Sequence, residues 1–112
     1  MAEVTLVAAT EESGVIVLAP TGDLGAHESS ALRAALRSAL DRKPRRLVVD
    51  LAGVPYMSSA GVATLVEALR LSREGGVDMV LAGLHARVKA VFDIARLTAL
   101  FRMTATVEDA KK

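Results

Sequence analysis

The fold is decided by the stretch Leu47–Ala82, which reads LVVDLAGVPYMSSAGVATLVEALRLSREGGVDMVLA. It opens with the almost continuously apolar run Leu47–Leu51, which is typical of a strand buried within a sheet. Apolar residues at helical spacing then predict a helix over Ser59–Glu74, which the Gly75-Gly76 pair ends. A second apolar strand, Val77–Ala82, follows. Strand, helix and strand in this order predict a right-handed βαβ unit with parallel strands.

Segments on both sides extend this unit. Upstream, an alternating segment, a turn cluster and an apolar run predict a β-hairpin over Val4–Ala19. Helical spacing of apolar residues predicts a helix over residues 26–41. Downstream, the same criteria predict a third helix over residues 86–95 and a short last strand over residues 102–107.

The predicted fold class is therefore α/β, with a mixed β-sheet of four to five strands, an N-terminal hairpin, βαβ crossovers and three main helices. A chain of 112 residues has the length of one domain, which we expect to span residues 1–107. Residues 108–112 are expected to form a short, frayed C-terminal tail. The core must be aliphatic, because 52% of the residues are hydrophobic but only 3% are aromatic.

Composition and charge exclude several classes of function. The chain has no cysteine, so disulfides, thiol nucleophiles and zinc-thiolate sites are excluded. A formal net charge of +1 gives no broad electrostatic footprint, so we expect no direct binding to nucleic acid. Met1–Val7 lacks the basic start of a signal peptide, and the longest apolar stretches fall far below the roughly 20 residues of a membrane span. These features predict a cytoplasmic protein without membrane insertion.

The motifs of common enzymes are missing from the sequence. No glycine-rich stretch precedes a GKS or GKT, as a P-loop requires. Ser59 has Gly61 two residues after it but Met57 two residues before it, so it does not form a nucleophile elbow. His27 and His85 have no partner at metal-ligand spacing, and neither can be assigned to a catalytic triad. We expect no enzymatic activity, no cofactor and no metal.

The junction Val54–Gly61 joins a predicted strand to a predicted helix, and two roles for Ser59 remain open there. A serine before an apolar helical run is a preferred N-cap, which stabilises a helix by about 1 kcal/mol relative to alanine. The same place suits phosphorylation, because a helix N-terminus carries unpaired N–H groups and partial positive charge that stabilise a phosphate. Such a phosphate would convert a nearly neutral surface into an anionic one.

A second loop should lie beside this junction. Thr21–Gly25 follows the second predicted strand, and loops at the same edge of a parallel sheet tend to converge. Asp23 in this loop caps the next helix, closes a turn or contacts a partner. Around the third helix, Arg96 is one of several basic residues, which either solvate an exposed face or, for Arg96, meet a partner.

These residues resemble those of a STAS domain, the fold of bacterial anti-sigma factor antagonists and of the cytoplasmic tails of sulfate-transporter-type proteins. The matching elements are Gly22-Asp23-Leu24, the strand Leu47–Leu51, Met57–Gly61, Gly75-Gly76 and residues 88–93 followed by Leu97. In the antagonist branch a serine at this junction is phosphorylated. Aligned through Gly61, the phosphoacceptor is Ser59, with Ser58 the less favoured choice because it stands where the family often has aspartate.

The resemblance implies a protein that switches partners and regulates transcription. Unphosphorylated, it would bind an anti-sigma factor that is also a serine kinase, and so free a sigma factor. The kinase would phosphorylate Ser59, and a serine phosphatase would remove the phosphate. The partner-binding residues would be Asp23, Ser58, Gly61 and Arg96, on a monomer or weak dimer.

An alternative within the family is a constitutive scaffold, either a stressosome component or a partner of a lipid-transport ATPase. In that case Ser59 would serve only as a helix cap. A hydrolase that uses Ser59 is disfavoured, because no histidine base or oxyanion motif accompanies it.

Overall fold

A five-stranded sheet and four α-helices make up residues 6–112, the part of the chain that the computed structural model describes. In chain order the elements are β1 (Leu6–Glu12), β2 (Val15–Thr21), α1 (Glu28–Asp41), β3 (Arg46–Asp50), α2 (Ser59–Glu74), β4 (Asp78–Ala82), α3 (Ala86–Ile94), a 3₁₀ turn (Thr98–Leu100), β5 (Arg102–Thr104) and α4 (Val107–Lys111). The predicted α/β class and the three main helices are confirmed. Val4 and Thr5, which the predicted hairpin includes, lie outside the described residues.

The sheet has the strand order β1-β2-β3-β4-β5, so strands that follow each other in the chain also pair. β1 and β2 are antiparallel, whereas β2, β3, β4 and β5 pair in parallel. At the hairpin turn, Ser13 and Gly14 have φ angles of 55° and 78°. Positive φ at both central residues is typical of a type I′ turn, whose twist matches that of the two strands.

Helices α1, α2 and α3 cover one face of the sheet and enclose the main core. The core is aliphatic, as predicted, with leucines such as Leu32, Leu47 and Leu65 fully buried. Each such side chain contributes about 1.5–3 kcal/mol through removal from water. Phe92 of α3 and Phe101 form an edge-to-face pair with ring centroids 5.5 Å apart, which fixes α3 to the chain before β5.

The predicted C-terminal tail is wrong, because these residues form helix α4. The Thr106 hydroxyl caps the helix by accepting from the Asp109 N–H at 3.1 Å, and Ala110 is fully buried. Ala110 packs with Val48 and Val80 on the second face of the sheet. Arg46 donates to the Ala110 carbonyl at 3.1 Å. The helix forms because it covers valines that this face would otherwise expose to water.

Candidate functional site

The loops after β2 and β3 converge, as the sequence predicts, and they do so through backbone hydrogen bonds. The Leu24 N–H donates to the Tyr56 carbonyl at 3.0 Å, and the Ser58 N–H donates to the Leu24 carbonyl at 2.9 Å. Leu24 and Met57 thereby form a parallel β-bridge. This bridge places Asp23 and the start of α2 on one surface at the carboxyl edge of the sheet.

Gly61, in the first turn of α2, allows that close approach. A Cβ atom at this position would lie 2.7 Å from Cγ of Met57 and 3.1 Å from the Leu24 carbonyl oxygen. The first distance is too short for a carbon contact and the second is unusually tight, so any larger residue would force Met57 or the backbone at Leu24 to shift. Gly61 is buried, which gives it a packing role; the partner contact predicted for it stays a prediction.

The two adjacent serines have different roles. Ser58 is the N-cap of α2, with an extended backbone (φ −83°, ψ 172°), and its side-chain oxygen accepts from the Gly61 N–H at 3.4 Å. Ser59 is the first helical residue, and its side chain is exposed. The cap role considered for Ser59 therefore belongs to Ser58, because only the residue before the helix can aim its hydroxyl at the first-turn N–H groups.

A shallow apolar groove of about 400 Å³ begins at Ser59. It lies between α2 and the second half of α3, and its walls are Ser59, Val62, Ala63, Val66, Val91, Ala95 and Leu97. Ile94 on α3 is 85% exposed, although it is large and apolar. Neither the groove nor the exposure of Ile94 was predicted from the sequence. One signal in the sequence could have identified Ile94: this large apolar residue lies off the apolar stripe of its helix.

Arg96 lies at the rim of this groove. It lies two residues after the end of α3, between the groove residues Ala95 and Leu97 in the sequence, and its side chain is exposed. Its φ angle is +60°, in the left-handed region that costs a non-glycine residue roughly 1–2 kcal/mol. Its N–H donates to the Asp93 carbonyl at 3.0 Å, which closes the end of the helix. Ser59 lines this groove, and Arg96 stands between two residues that line it.

Asp23 is exposed on the neighbouring loop. The N-cap of α1 is His27, and the Gly25 N–H is bound instead by the Glu28 carboxylate, at 2.9 Å. Asp23 therefore does not cap α1, which excludes the helix-cap role considered for it.

The two histidines lie apart, each at the N-cap position of its own helix. His27 precedes α1, and His85 precedes α3 with its Nε2 atom 2.7 Å from the Ala52 carbonyl oxygen. Within residues 6–112, no group of three or more histidine and carboxylate side chains is placed to hold a metal ion. In the same part of the chain, no helix is long and apolar enough to cross a membrane.

On the side of α2 that faces α1, Glu67 forms an ion pair with two arginines. Arg37 donates a hydrogen bond to it at 3.0 Å, and Arg33 lies 3.5 Å away. The Arg37 hydrogen bond lowers the pKa of Glu67 below its ordinary value, and the nearby positive charges add to this effect. The negative charge of Glu67 is thus compensated by the two arginines of α1.

The fold and this loop-to-helix junction are those of a known family: a STAS domain model matches residues 7–110, so the chain belongs to the STAS domain family. It is 28% identical over 97 residues to BtrV of Bordetella bronchiseptica, which carries the name of an anti-sigma factor antagonist. That match covers 87% of this chain and 84% of BtrV. The resemblance inferred from the sequence motifs is confirmed.

Solved structures agree in fold. An anti-sigma factor antagonist from Mycobacterium paratuberculosis superposes with a TM-score of 0.86 at 21% identity, over 95% of this chain and 90% of that one. The anti-sigma factor antagonist SpoIIAA in its unphosphorylated form superposes with a TM-score of 0.79 at 20% identity, over 94% of this chain and 92% of that one. SpoIIAA of Bacillus in its phosphorylated form superposes with a TM-score of 0.73 at 20% identity, over 94% of this chain and 96% of that one.

Proposed function

We propose that this protein is an anti-sigma factor antagonist whose binding to an anti-sigma factor kinase is switched off by phosphorylation of Ser59. Unphosphorylated, it occupies the kinase and frees a sigma factor for transcription. The observation that carries the proposal is the position of Ser59, exposed at the first residue of α2 and at the end of an apolar groove. Relatives named as anti-sigma factor antagonists, one of them known in a phosphorylated form, support the same function.

Ser59 is a better phosphoacceptor than Ser58. The Ser58 oxygen accepts the Gly61 N–H and is half-buried, so phosphorylation there would disturb the helix cap. The Ser59 hydroxyl has no part in that cap, and a kinase active site can approach it from solvent. In the scaffold alternative, Ser59 serves only as a helix cap. Ser58 is the cap of α2, so that alternative gives Ser59 no role.

A phosphate on Ser59 would change binding and leave the fold intact. It adds between about 1.5 and 2 negative charges at neutral pH. The N-terminus of α2 stabilises this charge through its partial positive charge. We therefore expect the helix to stay folded. A partner that packs against the groove would meet the new charge at the edge of its interface, where desolvation and repulsion both oppose binding.

The residues around Ser59 have distinct proposed roles. Asp23 is placed to pair with a basic group of the kinase, because it is exposed on the loop that is bonded to the start of α2. Arg96 contacts the same partner from the far rim of the groove. A serine phosphatase returns the protein to its binding form. In this proposal the protein itself is the substrate of the kinase and not a catalyst.

A phosphorylation and binding assay tests the proposal. The wild type, Ser59→Ala and the matched control Ser58→Ala are incubated with a candidate anti-sigma factor kinase and ATP, and the modified residue is mapped by mass spectrometry. We expect phosphate on the wild type and on Ser58→Ala, and none on Ser59→Ala. Ser59→Asp should lose binding to the kinase in a pull-down. Phosphate on Ser58, or unchanged binding by Ser59→Asp, would contradict the proposal.

A further inference from the structure

We propose that strand β1 is the interface of a weak dimer, in which two copies of this protein join their sheets edge to edge through antiparallel pairing of their β1 strands. A weak dimer is one of the two states that the sequence left open. The interface goes beyond the proposed function, because no residue of β1 lines the groove beside Ser59.

The two edges of the sheet differ in how well they are protected. β5, at one edge, has only three residues, Arg102–Thr104, and begins with a charged side chain. β1, at the other edge, has seven residues, Leu6–Glu12, and its part Leu6–Thr10 carries no charge and no proline. Ala8 and Ala9 are exposed. Short length, charge and proline stop an edge strand from pairing with another chain, and most of β1 lacks these protections.

One row of backbone groups on β1 points away from the sheet. The two-residue turn makes its flanking residues, Glu12 and Val15, a hydrogen-bonded pair, and such pairs alternate with non-hydrogen-bonded pairs along an antiparallel ladder. Every second residue of β1, namely Val7, Ala9 and Glu11, therefore directs its N–H and C=O away from β2. Within residues 6–112, no strand pairs with β1 on that side. The row thus offers donors and acceptors to another chain.

A second copy of the protein pairs all of these groups in one register. When two β1 strands run antiparallel about a two-fold axis at Ala9, Ala9 faces its own counterpart, and Val7 faces Glu11 of the second copy. Each facing pair exchanges two hydrogen bonds, so every outward N–H and C=O is paired. Between these pairs, Ala8 faces Thr10 of the second copy. Both side chains are small, which suits the closer spacing of about 4.5 Å between Cα atoms at non-hydrogen-bonded positions.

The charges on β1 favour this antiparallel register. Glu11 forms an ion pair with Arg42 of α1, so its charge is compensated within its own chain. The Glu11 residues of the two copies would stand four positions apart along the strands, which is about 14 Å at 3.4 Å per residue. That separation exceeds the screening length of about 8 Å at physiological ionic strength. An in-register parallel pairing would instead place the glutamates of the two copies directly beside each other, which is destabilising.

The contrast between the two edges also limits the assembly to two copies. Pairing about a two-fold axis uses up the β1 edge of both chains, and the edges that remain are the short, charged β5 strands. One pair of seven-residue strands belongs to the class of small interfaces, below about 1,200 Å², that form weak and reversible complexes. We therefore expect the monomer and the dimer to exchange.

Sedimentation equilibrium of the wild type, from micromolar to millimolar concentration, tests whether the dimer forms. Ala9→Lys should weaken the dimer at least ten-fold, because it places two like charges opposite each other at the two-fold axis. The matched control Ala105→Lys adds the same charge at an exposed position after β5 and should change dimerisation less than two-fold. Circular dichroism checks that each variant is folded.

A cysteine at the two-fold axis tests the register with a much smaller substitution. The natural sequence has no cysteine, so any disulfide in a single-cysteine variant must join two copies. Facing residues of a hydrogen-bonded pair have Cα atoms about 5.5 Å apart, within the range that a disulfide spans. Under mild oxidation, Ala9→Cys should therefore crosslink at least ten-fold faster than the exposed control Ala105→Cys.

Amide hydrogen exchange, measured by NMR on the wild type, reports which backbone groups the dimer covers. Exchange at the N–H groups of Val7, Ala9 and Glu11 should slow at least five-fold between dilute and concentrated protein. The N–H groups of Ala8 and Thr10 already bond to β2 and should change less than two-fold. This alternation is specific to pairing at the β1 edge.

A wild type that stays monomeric at millimolar concentration would overturn the proposal. A dimer that Ala9→Lys does not weaken, equal crosslinking of the two cysteine variants, or concentration-dependent protection without the alternation would overturn it as well. These measurements use neither a kinase nor ATP. A failure of the phosphorylation assay would therefore leave them unaffected, and their failure would leave the role of Ser59 untouched.

Discussion

Replacing Gly61 with alanine tests the close packing on which the site depends. The new Cβ atom would lie 2.7 Å from Cγ of Met57 and 3.1 Å from the Leu24 carbonyl oxygen. Met57 is 1% exposed and Leu24 is 0% exposed, so neither can move aside into solvent. Overpacking of this kind costs between about 1 and 3 kcal/mol, and the upper part of that range applies where a backbone atom is one of the two neighbours.

One effect opposes this cost. Alanine is favoured over glycine within a helix by about 1 kcal/mol. The net loss in the free energy of unfolding should therefore be between about 1 and 2 kcal/mol, after this gain is subtracted from the overpacking cost. For a domain of this size, such a loss lowers Tm by about 5 °C or somewhat more.

Gly75→Ala is the matched control for this substitution. A Cβ atom at Gly75 would meet its nearest neighbour, the Leu71 carbonyl oxygen, at the ordinary contact distance of 3.5 Å. We expect this variant to be as stable as the wild type or slightly more stable. Thermal and urea unfolding followed by circular dichroism compare the three proteins. If Gly61→Ala were as stable as Gly75→Ala, the bridge between the two loops would not constrain α2 as described.

Three further predictions concern charge and the C-terminus. Ser59→Asp should leave the urea midpoint unchanged or raise it, since a negative charge at a helix N-terminus contributes between about 0.3 and 1 kcal/mol, whereas Ser58→Ala should cost about 1 kcal/mol; a Ser59→Asp protein that unfolds more easily would contradict this. Glu67 has a lowered pKa in the folded state, so its stabilising effect is present above its unfolded pKa of about 4.3 and is lost as pH falls through the lower folded value. Glu67→Gln should therefore be less stable than the wild type at pH 7 but not at pH 2.5, as urea titrations at both values can check; an equal gap at both would contradict this. Ala110→Asp should detach α4 and increase binding of an apolar dye to the exposed sheet face, because it places a charge in a fully buried position; unchanged dye binding would show that α4 does not protect that face.

Much of the fold can be predicted from the sequence because its main signals are local. The apolar run of β3, the periodicity of α2 and the double glycine after it each reflect the conformation of the segment itself. Helix α4 gives no such signal: it is five residues long, and only Val107 and Ala110 face the sheet. Its stability comes from contacts with Val48 and Val80, which are distant in the sequence.

The candidate site is likewise predictable from the sequence only in part. A serine at the start of α2 follows from the strand-to-helix junction, but the choice between Ser58 and Ser59 as cap depends on one backbone angle. The ψ of 172° at Ser58 places that residue outside the helix. The groove could not be predicted from the sequence. It exists only where α3 packs against α2, and neither helix alone indicates which exposed residues will face each other.

The bond from Arg46 to Ala110 has a practical consequence. Arg46 begins β3, whereas Ser59 follows the loop beyond the end of that strand, so the C-terminal helix is anchored at the sheet edge opposite Ser59. Any fluorophore, surface linker or fused domain attached after Lys112 would emerge from that opposite edge. A biosensor chip that holds the protein by its C-terminus would present every molecule with the Ser59 groove pointing into solution.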